Sequence, residues 1–113
     1  MNFLIRILMT ALAAFGLSYI LSGVHIDSFI TALVFALVLA ILNALIKPIL
    51  IILTLPITIV TLGLFLFVIN ALIILLCSKM VSGFSVDGFW WALLFSILLS
   101  IVSSILHSSG KKE

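Results

Sequence analysis

Few side chains in this sequence could perform acid–base, nucleophilic or metal chemistry. The chain has three acids, two histidines and one cysteine: Asp27, Asp87, Glu113, His25, His107 and Cys77. Asp27 and Asp87 each precede an apolar segment, so we predict that they cap helices rather than form an acid–base pair. A single cysteine excludes an intrachain disulfide and argues against a cysteine-based metal site. We therefore assign no catalytic, metal or cofactor-binding residue and expect no enzyme activity.

Polar residues inside apolar stretches are the remaining candidates for a functional role. Thr10, Asn43 and Asn70 are predicted to lie within a bilayer. They could line a pore or polar path, or they could hydrogen-bond between helices, which is typically worth about 0.6 to 2 kcal/mol in membranes. Lys47 could be a pore charge or an interfacial anchor that contacts anionic lipid. Both alternatives stay open from sequence.

The elements that must position these residues are apolar helices. The chain has 113 residues, 66% hydrophobic and 7% charged, whereas soluble proteins carry about 25% charged residues. A spanning helix needs roughly 20 apolar residues, so we predict an all-α membrane protein with a single integral domain, 1–113. Four transmembrane helices are predicted: 4–21, 29–46, 57 to about 78, and 89–106. The net charge of +2 is too small to indicate nucleic-acid binding.

The apolar stretch 43–70 is predicted to turn the chain around. Pro48 and Pro56 each remove a backbone donor and disfavour helical geometry in the preceding residue, so the chain should bend at both. Residues 49–54 are too few to cross a bilayer, and they should form a short helix that is either interfacial or re-entrant. The segment 47–56 is therefore predicted to be a Pro-broken central joint.

An offset of 60 residues reveals an internal repeat. GVHIDSFITALVFALVLAI (23–41) and GFSVDGFWWALLFSILLSI (83–101) are identical at eight of nineteen positions. We interpret this as a tandem duplication of a helical hairpin, with copies over about 4–46 and about 57–106 and a polar tail over 107–113. Two spans per copy would give both copies the same orientation, as in parallel-repeat transporters.

Small residues recur every four positions in the second and fourth predicted helices. These two stripes are Ala32, Ala36, Ala40 and Ala44, and Ala92, Ser96, Ser100 and Ser104. Small residues let membrane helices approach closely, so we expect each stripe to face a helix, with the opposite stripe as one candidate. We also expect a homo-oligomer, and we predict that leucine at Ala36 and Ala40 abolishes self-association.

The charges predict a topology. One side of the membrane would hold Arg6, Lys47, Lys111 and Lys112, and the other would hold Lys79. The positive-inside rule then places both termini in the cytoplasm. Tyr19, Trp90 and Trp91 would form an aromatic belt at the outer interface.

Two motifs are specific, NALIKPIL over 43–50 and LTLPIT over 53–58, and TLGL (61–64), NA (70–71) and GF (83–84) follow them. Together they resemble a bacterial family of small membrane proteins, the mycobacterial four-span phage holin superfamily. The resemblance implies a four-helix protein of the bacterial inner membrane that forms lesions releasing a lytic enzyme or collapsing the proton gradient. We treat the signature positions as structural: Asn43, Lys47, Pro48, Pro56, Gly63, Asn70 and Gly83.

Three functions are compatible with this pattern. The first is permeabilisation of the membrane by self-association, and the second is a non-lytic scaffold or envelope-stress interaction protein. The third is a small transporter dependent on Asn43 or Asn70, although the lack of intramembrane acids disfavours proton coupling. The lipid bilayer is the one partner expected under all three, and no particular protein partner can be named.

Overall fold

The chain folds almost entirely into helices. The computed structural model describes the backbone over residues 2–111 and the side chains as far as residue 106, so the side chains of the predicted tail 107–113, and all of Lys112 and Glu113, lie outside the described residues. The elements are α1 (Phe3–Ile20), β1 (Val24–Ile26), α2 (Phe29–Leu45), α3 (Lys47–Leu53), α4 (Leu55–Val60), α5 (Phe65–Met80), β2 (Phe84–Val86) and α6 (Phe89–Lys111).

Several of these helices are apolar enough to cross a membrane. In the described part of the chain α1 and α6 qualify alone, and α2 with α3 adds a third crossing if the two are one span across their 41° bend. α5 is apolar but has 16 residues, so it reaches only about 24 Å against a hydrocarbon core of about 30 Å. Large apolar side chains cover the outer surface, as expected where a helix surface contacts lipid.

The predicted third span, 57 to about 78, differs from the structure. α4 ends in a turn over 61–64, where Leu62 and Gly63 have φ angles of 57° and 89°, and α5 begins only at Phe65. The Thr61 hydroxyl accepts a hydrogen bond from the Phe65 N–H at 3.2 Å. Left-handed backbone cannot continue a helix, so the joint extends from 47 to 64 rather than from 47 to 56.

The joint is built from two short helices that each have a proline in the first turn. These are Pro48 in α3 and Pro56 in α4. A proline is well tolerated there because the first N–H groups of a helix have no partner within it. At the end of α3 the Thr54 hydroxyl donates to the Leu50 carbonyl at 2.7 Å. Neither short helix contains a buried residue.

The four long helices form a ring. α1 packs beside α2 and α6, and α5 packs beside α6 and α2. The diagonal helices α2 and α6 have no Cα atoms within 8 Å of each other over the described residues; their contact across the centre is between the rings of Phe35 and Phe95, with centroids 5.8 Å apart. The idea that the two small-residue stripes face each other is therefore wrong. Ala32 and Ala36 pack against Ala11 of the adjacent helix α1 instead.

A short β-ribbon joins the halves at one end of the ring. β1 and β2 pair antiparallel with His25 opposite Ser85. The Asp27 N–H donates to the Gly83 carbonyl at 3.0 Å, and the Asp87 N–H donates to the Gly23 carbonyl at 2.8 Å. These two bonds are equivalent under the 60-residue offset. The local sequence does not reveal either strand, because a three-residue strand is stable only with its partner.

The residue that caps α2 is not Asp27 but the next one. The Ser28 hydroxyl accepts a hydrogen bond from the Thr31 N–H at 3.3 Å, with Ser28 in extended geometry. Asp27 lies one residue before the N-cap position of α2, so it does not cap this helix. Its backbone N–H takes part in the ribbon.

Candidate functional site

A small polar cavity lies inside the ring, at the end where α2 meets α3. Its volume is about 70 Å³, and a cavity needs about 10–15 Å³ to hold one water. The polar lining comes from α2, α3, α5 and α6: Asn43, Lys47, Asn70, Ser96 and Ser100. Three of these residues, Asn43, Lys47 and Asn70, are signature positions. The tertiary structure thus brings together signature residues that lie up to 27 positions apart in the sequence.

The polar groups of this cavity are poorly matched by protein partners. Over the described residues the side chains of Asn43, Lys47 and Asn70 make no hydrogen bond to another protein group, while the Ser96 hydroxyl donates to the Leu93 carbonyl at 2.8 Å. The alternative of hydrogen bonds between helices through Asn43 or Asn70 is therefore not the arrangement seen. Polar groups in an apolar environment require partners, so this cavity suits water or a polar ligand.

Three phenylalanines close the ring between the cavity and the ribbon. Phe35 and Phe95 lie one helical turn from the cavity-lining Leu39 and Leu99. Their rings pack with that of Phe84, with centroid separations of 4.4 Å for Phe35–Phe84 and 6.0 Å for Phe84–Phe95. All three rings are buried. The cavity is therefore blocked toward the ribbon end of the chain.

The remaining signature residues shape the backbone. Pro48 and Pro56 lie in the first turns of α3 and α4, and Gly63 lies in the turn before α5. Gly83 has φ of 87°, and a Cβ there would lie 2.9 Å from a carboxylate oxygen of Asp27. A structural role for these positions therefore stays a prediction.

The small-residue stripes divide into a buried and an exposed half. Ala32 and Ala36 are buried against Ala11 of α1, and Ala92 and Ser96 are also buried. Further along, Ala40 is half-buried, whereas Ala44, Ser100 and Ser104 are exposed. The first half therefore packs the chain against itself. Leucine at Ala36 would disturb the α1–α2 contact, so it is not the clean test of self-association that the spacing suggested.

A larger groove opens sideways between α1 and α2. Its volume is about 370 Å³, and its lining is Phe3, Arg6, Ile7, Thr10, Ala36, Leu39, Ala40, Asn43 and Ala44. Asn43 and Leu39 line this groove and the inner cavity alike. The groove was missed at the level of sequence, although the four-residue spacing of the alanines is the signal for a concave helix face.

The ribbon carries a pair that sequence analysis also missed. His25 Nε2 lies 3.0 Å from Asp87 Oδ1, with the two side chains about half exposed. The residues are 62 positions apart, and only the antiparallel pairing of β1 with β2 brings them together. The 60-residue repeat was the signal in the sequence that could have revealed this pair, because it shows that β1 and β2 follow equivalent helices.

We expect His25→Ala to lower stability by less than about 1 kcal/mol, since exposed pairs of polar side chains contribute little. The free energy of unfolding is measured in mixed micelles for the purified wild-type protein, His25→Ala, Asp87→Asn and the double variant, which together form a double-mutant cycle. A coupling energy of several kcal/mol between His25 and Asp87 would contradict this expectation and would show that the pair is a main stabilising contact of the ribbon.

Known proteins now give this geometry a context. The model of the family described as mycobacterial 4 TMS phage holin, superfamily IV, matches residues 1–105. The uncharacterized membrane protein YvlD of Bacillus subtilis (strain 168) is 45% identical over 104 residues, which cover 91% of this chain and 87% of that protein. The uncharacterized protein SCO3922 of Streptomyces coelicolor is 46% identical over 83 residues, covering 70% of this chain and 66% of that protein.

No solved structure gives a significant match. The family match extends over both hairpins, the joint and the polar cavity, and the apolar helices agree with the description of the Bacillus relative as a membrane protein. The chain is therefore a membrane protein that belongs to the mycobacterial four-TMS phage holin family, superfamily IV.

Proposed function

We propose that the protein spans the bacterial inner membrane four times as a duplicated hairpin and that several copies associate to permeabilise that membrane. Both termini would lie in the cytoplasm. The observation that supports this proposal is the inner polar cavity, which is closed at one end by three phenylalanine rings. A single copy therefore offers no continuous path across the membrane, and a conducting lesion would have to form between copies. On this view the protein is not an enzyme and binds no nucleic acid.

The four-span arrangement is supported by the correspondence of the two halves. α1, β1 and α2 are followed, at an offset close to 60 residues, by α5, β2 and α6. α5 is short for a span, and a short span is accommodated by local thinning of the bilayer. Such thinning would favour rather than oppose permeabilisation. The cytoplasmic orientation rests on the excess of Lys and Arg at the joint and termini over the ribbon side.

One copy alone makes a poor pore. Its inner cavity holds only about 70 Å³, and Phe35, Phe84 and Phe95 are packed across the path to the ribbon. A lesion that passes ions and dyes therefore requires surfaces from several copies.

The exposed end of the stripe on α6 offers a surface for that association. Ser104 is exposed and lines neither the inner cavity nor the groove between α1 and α2, and small residues permit close approach of membrane helices. Its hydroxyl can also hydrogen-bond across such a contact. This position is independent of the buried Ala32 and Ala36 that pack the chain against itself.

The test is membrane potential and dye entry after induced expression in bacteria. We expect the wild-type chain to depolarise the cells abruptly and admit dye, and Ser104→Leu to require about tenfold more protein, as expected for a loss near 1.4 kcal/mol of association. Val34→Leu is the matched control, because it enlarges an exposed side chain on α2 outside the stripe.

An intact potential at high wild-type expression would contradict permeabilisation. In that case the non-lytic scaffold or envelope-stress interaction protein becomes the better account, and crosslinking in the membrane would identify its partner. Equal activity of Ser104→Leu and the wild-type chain at matched levels would instead contradict association through Ser104.

A further inference from the structure

We propose that the groove between α1 and α2 is a binding site for one anionic phospholipid, with Arg6 contacting the headgroup phosphate. The groove does not include Ser104, the position proposed above for self-association. Its volume of about 370 Å³ falls in the range of ligand pockets, about 300–1,000 Å³.

The lining of the groove is amphiphilic. Phe3, Ile7 and Leu39 provide apolar walls, and the alanines of α2 leave space along its floor. Arg6 and Thr10 provide polar groups on α1. An apolar channel beside a guanidinium matches an acyl chain beside a phosphate, and Arg binds phosphate through two parallel hydrogen bonds.

The charge of Arg6 has no partner from the protein in this groove. Over the described residues the carboxylates are Asp27 and Asp87, and both lie beside the ribbon, about 20 Å away along α1 at 1.5 Å per residue. A second copy in the same orientation would bring its own aspartates to the ribbon end as well. An anion from the lipid is therefore the better complement to Arg6 than a second copy of the chain.

The second half of the chain lacks an equivalent site. The 60-residue offset replaces Arg6 by Leu66 and Phe3 by Gly63. In addition α3 packs against α5 but not against α1, so the joint covers one side of the ring and leaves the α1–α2 side open. The groove is thus a feature of one hairpin and not of the repeat in general.

The experiment measures lipid binding to the purified full chain in mild detergent by native mass spectrometry. The probes are phosphatidylglycerol and phosphatidylcholine with identical acyl chains, and inorganic phosphate as competitor. We expect phosphatidylglycerol to bind at least about fivefold more tightly than phosphatidylcholine, the effect typical of one basic residue near anionic lipid. Inorganic phosphate should not displace it, because the apolar walls require an acyl chain.

The variants assign the effect to the groove. Arg6→Gln should remove the preference for phosphatidylglycerol and Arg6→Lys should restore most of it, while Lys79→Gln, which removes a cation at the ribbon end, should change nothing. Ala40→Phe should fill the groove and weaken both lipids. Melting temperatures without lipid show whether each variant is folded.

Three results would overturn the proposal. Equal binding of the two lipids by the wild-type chain would exclude headgroup recognition, and displacement by inorganic phosphate would assign the site to a free anion. A lipid-free dimer that Ala40→Phe dissociates would assign the groove to a second copy. None of these results depends on whether the protein permeabilises membranes.

Discussion

Replacing Gly23 with alanine is expected to destabilise the folded protein by about 1 to 3 kcal/mol, the usual range for overpacking a filled site. Gly23 lies buried in the turn before β1, and a Cβ there would overlap the Cγ and Cδ2 atoms of the Trp91 indole. The turn is also held by the hydrogen bond from the Asp87 N–H to the Gly23 carbonyl. Either the indole or the turn must therefore move. Unfolding in mixed micelles with increasing SDS, followed by tryptophan fluorescence, measures the loss.

Gly16→Ala is the matched control, and its effect should have the opposite sign. Gly16 lies within α1, where an added Cβ meets nothing within 4 Å, so alanine should stabilise the helix by up to about 1 kcal/mol. Combining Gly23→Ala with Trp91→Ala should recover most of the stability that Gly23→Ala loses relative to Trp91→Ala alone. If Gly23→Ala and Gly16→Ala are equally stable, this result would contradict the close contact between the Trp91 indole and Gly23.

Phe95→Ala should cost about 3 kcal/mol of stability. Phe95 is fully buried and its ring packs against those of Phe35 and Phe84, so its removal leaves a cavity between the ribbon and the polar site. Phenylalanine-to-alanine changes in soluble cores typically cost about 3–5 kcal/mol. The lower value is expected here because lipid, rather than water, solvates much of the unfolded chain, and only packing is lost.

The neighbouring Leu94 provides the comparison. It is 41% exposed on the outer face of α6, where lipid can fill the space that a smaller side chain leaves, so Leu94→Ala should change stability by well under half as much as Phe95→Ala. SDS-induced unfolding of both variants, at matched detergent composition, measures the difference. Similar losses for the two would show that the three rings do not form the central packing of the ring of helices.

Several helices could be predicted closely from local sequence. The second predicted span, 29–46, agrees with α2, and the first and fourth begin within one residue of α1 and α6. Apolar runs bounded by polar residues determine these limits, because leaving the bilayer requires polar groups for the backbone. The third span was predicted too long because 57–78 is apolar throughout, and nothing in hydropathy distinguishes the turn at Leu62 and Gly63 from a helix.

The small-residue stripes show a different limit. Their spacing predicts a face of α2 that packs closely, and Ala32 and Ala36 on that face are buried. Spacing describes one helix and carries no information about which neighbour covers it, so the ring order, with α2 and α6 on the diagonal, could not be read from it. The same pattern also contains both buried and exposed positions.

The sequence by itself determined the membrane character, the positions of most helices, the 60-residue repeat and the family. Each of these depends on composition or on residues close along the chain. Only the tertiary structure decided that Asn43, Lys47 and Asn70 share one cavity, that the ribbon joins equivalent segments, and that Arg6 lies in an open groove. Those features depend on how two hairpins pack against each other, because the residues concerned lie on different helices and meet only through the order of the ring.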